Sequence, residues 1–334
     1  MSGITRRTYL KTSVAAGAAF SGWLGSARAQ PAPGAEGPWP NRPVKFIVPL
    51  APGGAIDFIA RAVGERMSGA IGQQVIVENR TGAGGTIGMD AAMKSPPDGY
   101  TVLITNDNAA SAPHIMKLGH DYTKELLATC YLGRHGQILA VHSSLGVNSV
   151  AELVAYVKAN PGTGLATSGV GSNQHVMCEW FAREANIRID HVPYRGAGQA
   201  VNDLIAAHVK LAFLGPTALM QHAQAGTIKL LAQTSAKRGP TLPDVPTLEE
   251  AGYKGLVLEA WYAAFVPPGT PQPLVAKLNE EMNKALKDPK LIDTFNKGAI
   301  EPVGGTSEDI AKLARADSEK YERLIRELNI KLAG

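Results

Sequence analysis

The stretch Val44-Lys45-Phe46-Ile47-Val48-Pro49-Leu50-Ala51-Pro52-Gly53-Gly54-Ala55-Ile56-Asp57 decides the fold class. Its first five residues are apolar but for one lysine, as in a buried strand. Pro49, Pro52 and the paired Gly53-Gly54 then interrupt the run as a tight turn. Beyond the turn the apolar spacing changes. Ile56, Ile59, Ala60, Val63 and Met67 fall on one helical stripe. A strand passing through a glycine turn into a helix is half of a βαβ unit, so the fold depends on whether the pattern recurs.

The pattern recurs along most of the chain. Residues 74–78 read as a second strand, followed by the Gly-rich loop Thr81-Gly82-Ala83-Gly84-Gly85 and a short helix. Residues 100–105 read as a third strand behind the Pro96-Pro97-Asp98-Gly99 turn. From 150 to 262 the rhythm resumes. Helices are expected at 150–159, 173–185 and 197–207, and strands at 165–168, 188–192, 210–214, 228–233 and 256–265. Such alternation predicts parallel sheets with helices on both faces. From Pro271 the chain is expected to be helical to its end. Its last helix starts at an N-cap, Thr306, with Glu308 and Asp309 in the first turn. Ile310, Leu313, Ala314, Tyr321, Leu324, Ile325 and Leu328 supply that helix's apolar face.

The N-terminus reads as an export signal, residues 1–29. Thr5-Arg6-Arg7-Thr8-Tyr9-Leu10-Lys11 is a twin-arginine signature, and Ala27-Arg28-Ala29 places cleavage before Gln30. The apolar stretch between them, from Thr12 to Gly25, falls short of the roughly 20 residues a spanning helix needs. A periplasmic, untethered mature chain is expected, with a disordered leader over 30–42. The whole chain carries 33 Lys and Arg against 29 Asp and Glu. Arg6, Arg7, Lys11 and Arg28 account for the entire excess, so the mature chain is formally neutral. Nucleic acid is therefore not an expected partner, since it would require a basic surplus. Cys130 and Cys178 are too few for a disulfide scaffold and are expected as buried thiols.

In open α/β sheets, ligands lie beyond the carboxyl ends of strands, where loops enter helices. Three such loops stand out. In the first, Gly53, Gly54, Ala55 and Asp57 sit where unpaired helix N–H groups could face an anion. The alternative is a plain turn in which Asp57 complements the helix dipole. In the second, Thr81 and Gly82 begin a loop suited to a backbone nest for a carboxylate. Its glycine spacing does not make the dinucleotide motif, and no P-loop lysine follows. The third region joins Gly171, Ser172 and His175 to Tyr194 and Arg195, offering a hydroxyl, a ring and a fixed positive charge. Each of these also has a plainer reading as a helix cap, a packed histidine or a surface arginine.

Enzyme chemistry finds little support. No G-x-S-x-G elbow occurs, and Cys178 is expected mid-helix among apolar neighbours that keep a thiol inert. Neither H-E-x-x-H nor Cys-x-x-Cys spacing occurs, so no catalytic residue, metal site or cofactor is assigned.

Taken in order, further segments carry a family resemblance. They are Phe46-Ile47-Val48-Pro49 with Pro52-Gly53-Gly54, Val77-Glu78-Asn79-Arg80, Pro97-Asp98-Gly99-Tyr100, Gly169 to His175, His191 to Gly196, Leu242 to Thr247 and Glu250-Ala251-Gly252. The chain resembles the Bug receptors, the periplasmic solute-binding components of tripartite tricarboxylate transporters. That resemblance implies a type II periplasmic-binding fold: two α/β domains, joined by crossover strands, with ligand held in the cleft. The domains are expected at 43–139 plus 263–334 and at 140–262. It further implies a small carboxylate ligand (dicarboxylate, tricarboxylate, acidic amino acid or aromatic acid). A membrane permease would be the partner of a monomeric receptor. Gly53, Gly54, Ala55 and Asp57 would face Gly171, Ser172 and His175 across the cleft, with Tyr194 nearby. Two other classes share such a cleft: a ligand-sensing domain serving a two-component kinase, and a periplasmic hydrolase or isomerase.

Overall fold

Val44–Val48 forms the first strand, β1, and the burial of all but Lys45 explains its apolar run. The computed structural model describes residues 38–330. The signal peptide, its cleavage site and most of the leader lie outside them.

In chain order, β1 is followed by α1 (Ala55–Ile71), β2 (Val75–Asn79), α2 (Thr86–Met93), β3 (Thr101–Asn106), α3 (Asn108–Ile115), α4 (Tyr122–Glu125) and β4 (Leu127–Gly136). Then come β5 (Ile138–His142), α5 (Val150–Ala159), β6 (Thr163–Thr167), α6 (Asn173–Glu184), β7 (Ile189–Pro193), α7 (Ala197–Ile205), β8 (Leu211–Leu214), α8 (Pro216–Gln224) and β9 (Ile228–Gln233). The chain closes with β10 (Glu259–Val266), α9 (Gln272–Leu286), α10 (Pro289–Lys297), β11 (Glu301–Pro302) and α11 (Ser307–Glu327).

Two sheets result, ordered β11-β4-β10-β3-β1-β2 and β7-β6-β8-β5-β9. Both are mixed rather than parallel. The βαβ units make parallel pairs, with Ile47 of β1 opposite Glu78 of β2 and Leu103 of β3. The strands that pass between the sheets run against them. β10 is antiparallel to β3 and β4, and β5 to β8 and β9. The expectation of parallel sheets therefore holds only where a helix connects consecutive strands. The helical reading from Pro271 onward also needs correcting, because β11 separates α10 from α11 and pairs with β4.

The second sheet shows why its strands carry continuous apolar runs. Leu139 and Val141 of β5, with Leu211 and Phe213 of β8, join a core that includes Val157 and Phe181. Their alternates Ile138, Ala140, Ala212 and Leu214 join a second core with Leu204 and Leu219. Period-2 alternation thus buries both faces, one under α5 and α6 and the other under α7 and α8.

The crossovers are tied together where the chain changes sheets. Gln137 N–H donates to Thr234 Oγ1 (2.8 Å), Thr234 N–H to Gln137 O (2.9 Å) and Thr234 Oγ1–H to Leu258 O (2.6 Å). A Cβ on Gly136 would lie 2.8 Å from Ser235 N, so the close approach of the two crossovers requires glycine there. His135 is buried and its pKa is pushed down to about 4 by that burial. The neutral ring donates from Nδ1 to Gly136 O (3.0 Å) and accepts at Nε2 from the Tyr262 hydroxyl (2.8 Å).

Candidate functional site

The parallel trio β1, β2 and β3 ends in three loops on one edge of the first sheet. The β1–α1 loop is held from below. Asn79 Nδ2 donates to Leu50 O (3.0 Å), and Arg80 N–H to Val48 O (2.9 Å). Pro52, Gly53 and Gly54 stay exposed, and Gly54 caps α1 without a side chain. The first-turn N–H groups of α1 are consequently not covered by a capping side chain.

Asp57 is buried, and its carboxylate is fully engaged within the protein. Gly53 N–H and Arg61 Nε–H donate to Oδ2, each at 3.0 Å. Arg61 Nη2–H (2.9 Å) and Asn79 Nδ2–H (3.0 Å) donate to Oδ1. Burial raises the carboxyl's pKa, but these bonds outweigh it and leave it below the ordinary carboxylate value. Asp57 shapes the loop by holding Gly53 through its carboxylate.

The second predicted loop lies beside the first. Thr81 and Gly82 are exposed, whereas Gly85 is buried near Pro49 and Leu50. Asn108, at the start of α3, donates from Nδ2 to Gly84 O. Sequence reasoning missed this third arm, Asn106-Asp107-Asn108. Three polar residues at the carboxyl end of a strand, ahead of an alanine-rich helix, were a usable signal.

In the second sheet, β6 and β7 present the remaining candidates. Gly171 has φ +78°, and a Cβ there would lie 2.8 Å from Ile115 of α3, so this loop packs directly on the first-sheet region. Ser172 caps α6, accepting at Oγ from His175 N–H (3.2 Å) and donating to Gly169 O (2.7 Å). His175 is buried. Its Nδ1 accepts from Gly171 N–H (3.0 Å), and its ring stacks on His191 with centroids 3.8 Å apart. Burial pushes both imidazoles down to about 4, with His191 adding to the effect on His175, so both are neutral near pH 7. His175 thus supports the loop from within.

The Tyr194 hydroxyl is turned to α7, donating to Asp203 Oδ2 (2.7 Å). Arg195 is exposed. The two sets of loops meet through Asp107 and Asn173, whose side chains bond at 3.0 Å. Cys130 and Cys178 are free and buried, and burial pushes the Cys130 thiol up to about 12 and the Cys178 thiol higher still. A separate cavity of about 500 Å³, lined by Arg134, Gly136, Ser235, Lys237 and Glu301 among others, includes none of the expected ligand residues. Among the described residues no cluster of His, Cys, Asp and Glu could hold a metal, and no helix is long and apolar enough to cross a membrane.

Two mixed α/β sheets exchanging crossover strands, with loops from both meeting at strand ends, define the periplasmic-binding-protein fold. The tripartite tricarboxylate transporter family receptor model matches residues 59–330, and the chain belongs to that family of solute-binding receptors. Protein BugT of Bordetella pertussis is 32% identical over 305 residues, covering 90% of this chain and 94% of BugT. Among solved structures, R. palustris Rpa4515 with adipate superposes with a TM-score of 0.82 at 31% identity, covering 88% of this chain and 99% of that one. MatC of Rhodopseudomonas palustris, with bound malate, gives 0.78 at 27% identity, covering 86% and 100%.

Proposed function

We infer that this chain captures a small carboxylate in the periplasm and delivers it to the membrane permease of a tripartite tricarboxylate-type transporter. The observation that carries the reading is the exposed turn Pro52–Gly54 ahead of α1. Its helix N–H groups lack a side-chain cap, and the one nearby carboxylate, Asp57, is already engaged. An anion brought from outside would find donors there rather than a competing charge.

Magnitudes favour a cleft over a surface site. A helix N-terminus contributes about 0.3–2 kcal/mol to a bound anion. A charge-assisted hydrogen bond adds roughly 1.5–3 kcal/mol, and micromolar affinity needs about 8 kcal/mol. Several donors must therefore converge: Gly54 and Ala55 N–H on one side, since Gly53 N–H is held by Asp57, and the Gly171–Ser172 loop on the other, where a ligand would compete with the bonds to His175 and Gly169. Thr81, Gly82 and exposed Arg195 would reach the far end of the ligand. Adipate and malate, found with two of the relatives above, are ligands of this class. In this reading residues 43–139 with 263–334 form one domain and 140–262 the other. The mature chain starts after Ala29 and acts as a monomer.

The test is thermal unfolding of the purified mature protein, stripped of co-purified ligand, against a panel of small carboxylates that includes adipate and malate. A ligand at about a thousand times its dissociation constant adds roughly 4 kcal/mol, a shift of several degrees. A midpoint unmoved by every acid in the panel would refute carboxylate capture.

A further inference from the structure

Asp107 and Asn173 open two helices on opposite sides of the meeting loops. Asp107 precedes Asn108 at the start of α3, and Asn173 follows Ser172 at the start of α6. They are 1% and 6% exposed. Asn173 Nδ2 donates to Asp107 Oδ2 (3.0 Å), and the Tyr321 hydroxyl of α11 donates to the same oxygen (2.6 Å). Asp107 Oδ1 and Asn173 Oδ1 are both buried without a hydrogen-bonding protein group.

An ionised Asp107 would leave these two oxygens as unmatched acceptors and place a charge in the interior. Both conditions are costly. A single proton on Oδ1 removes both. A carboxylic acid and a carboxamide already joined by one N–H···O bond can close a ring through an O–H···O bond on the other side. We propose that Asp107 is held as the neutral acid and shares its proton with Asn173 Oδ1, an acid–amide clasp fastening the α6 loop to the β3–α3 loop.

The surroundings agree. Asp107 is faced by Tyr321 and Asp317 from α11, by Tyr262 from β10 and by Asn173 from α6. Lys320 acts on Asp317, whose carboxylate accepts from Trp261 Nε1–H (2.8 Å). Burial pushes Asp107 up to about 7, against partial offset by the Tyr321 and Asn173 bonds and with some addition from Asp317. A carboxyl raised in the folded state stabilises fully below its unfolded value of 3.8, and that contribution is lost as the pH rises towards about 7. The clasp's contribution to stability therefore falls across the mildly acidic range, and the clasp itself opens as Asp107 ionises around neutrality.

The experiment uses ligand-free protein, so its outcome is separable from carboxylate capture. Aspartate γ-carbons are labelled with carbon-13, and carboxyl resonances and thermal midpoints are followed from pH 5 to 8. One resonance, absent in Asp107→Asn, should titrate near neutrality. The Asp107→Asn amide supplies a permanent N–H to Asn173 Oδ1, so its midpoint should gain about 5 °C on the wild type between pH 5 and 8. An ionised Asp107 would instead give a flat resonance and an Asp107→Asn midpoint below wild type at every pH, overturning the clasp. Tyr321→Phe provides the second check. It removes a donor to Oδ2 and should move the same titration to higher pH. An unmoved titration there would also overturn the proposal.

Discussion

Asp57 shows how one side chain can fix the shape of a loop from within the protein. Its four accepted hydrogen bonds tie Gly53, Arg61 and Asn79 to one point. Arg61 is half exposed, so its ion pair adds little beyond geometry. The weight falls on Gly53 N–H and Asn79, and Asp57→Ala should cost about 2 kcal/mol in urea unfolding. The same substitution frees the turn and should weaken carboxylate binding more than it weakens the fold. Because the folded carboxyl lies below its ordinary value, its contribution is present above pH 3.8 and lost as the pH falls through the lower folded value. Acid unfolding below about pH 4 should accordingly be shallower in Asp57→Asn than in the wild type. In the sequence, Asp57 reads as a ligand contact or a dipole partner, since its partners Gly53, Arg61 and Asn79 come together only in the folded chain.

At the scale of elements, the helix caps separate stability from binding. Ser172 caps α6 within the meeting loops, whereas Thr306 caps α11 far along the chain, in a capping box with Asp309. Each cap is worth about 1 kcal/mol, so Ser172→Ala and Thr306→Ala should lower stability alike. Only Ser172→Ala should also weaken binding, measured by titration calorimetry with adipate or malate. Equal affinities in the two variants would remove Ser172 from the site. Both caps are legible locally, as are α5 at 150–159 and β9 at 228–233, because a serine before an amphipathic run or a short bounded apolar run carries its own signal. β4 and β5 are not legible in this way. Gly133 and Gly136 interrupt β4, and both strands find their pairing partners far along the chain, in β10, β8 and β9. The two-residue strand β11 has no periodicity at all and exists only through its pairing with β4. The Asp107–Asn173–Tyr321 cluster is hidden for the same reason, since its members lie 66 and 148 positions apart.

For the whole molecule, the question is what the two sheet regions do when a ligand arrives. Only two crossovers link the sheets, after β4 and before β10, and both are pinned at Gln137, Thr234 and Leu258. Beyond that pivot the regions share apolar packing, with Gly171 against Ile115 of α3, and a few polar contacts. Thr217 Oγ1 donates to Gly298 O, Gln174 Nε2 donates to Gln137 Oε1 (3.1 Å), and Arg183 lies 3.5 Å from Glu327. The last is half exposed and weak. Two crossovers pinned at one point are where a hinge would act, with small changes there swinging the outer loops once the apolar contact at Ile115 separates. A ligand gripped by the Gly54–Ala55 turn on one side and by the Gly171–Ser172 loop on the other would bind the closed form preferentially and shift the population towards it. Small-angle scattering should then give a smaller radius of gyration with saturating adipate or malate than without. Asp107→Ala, which removes the clasp, should widen that difference by opening the ligand-free form. Identical radii with and without a ligand that demonstrably raises the thermal midpoint would mean that the regions are fixed and that binding needs no closure.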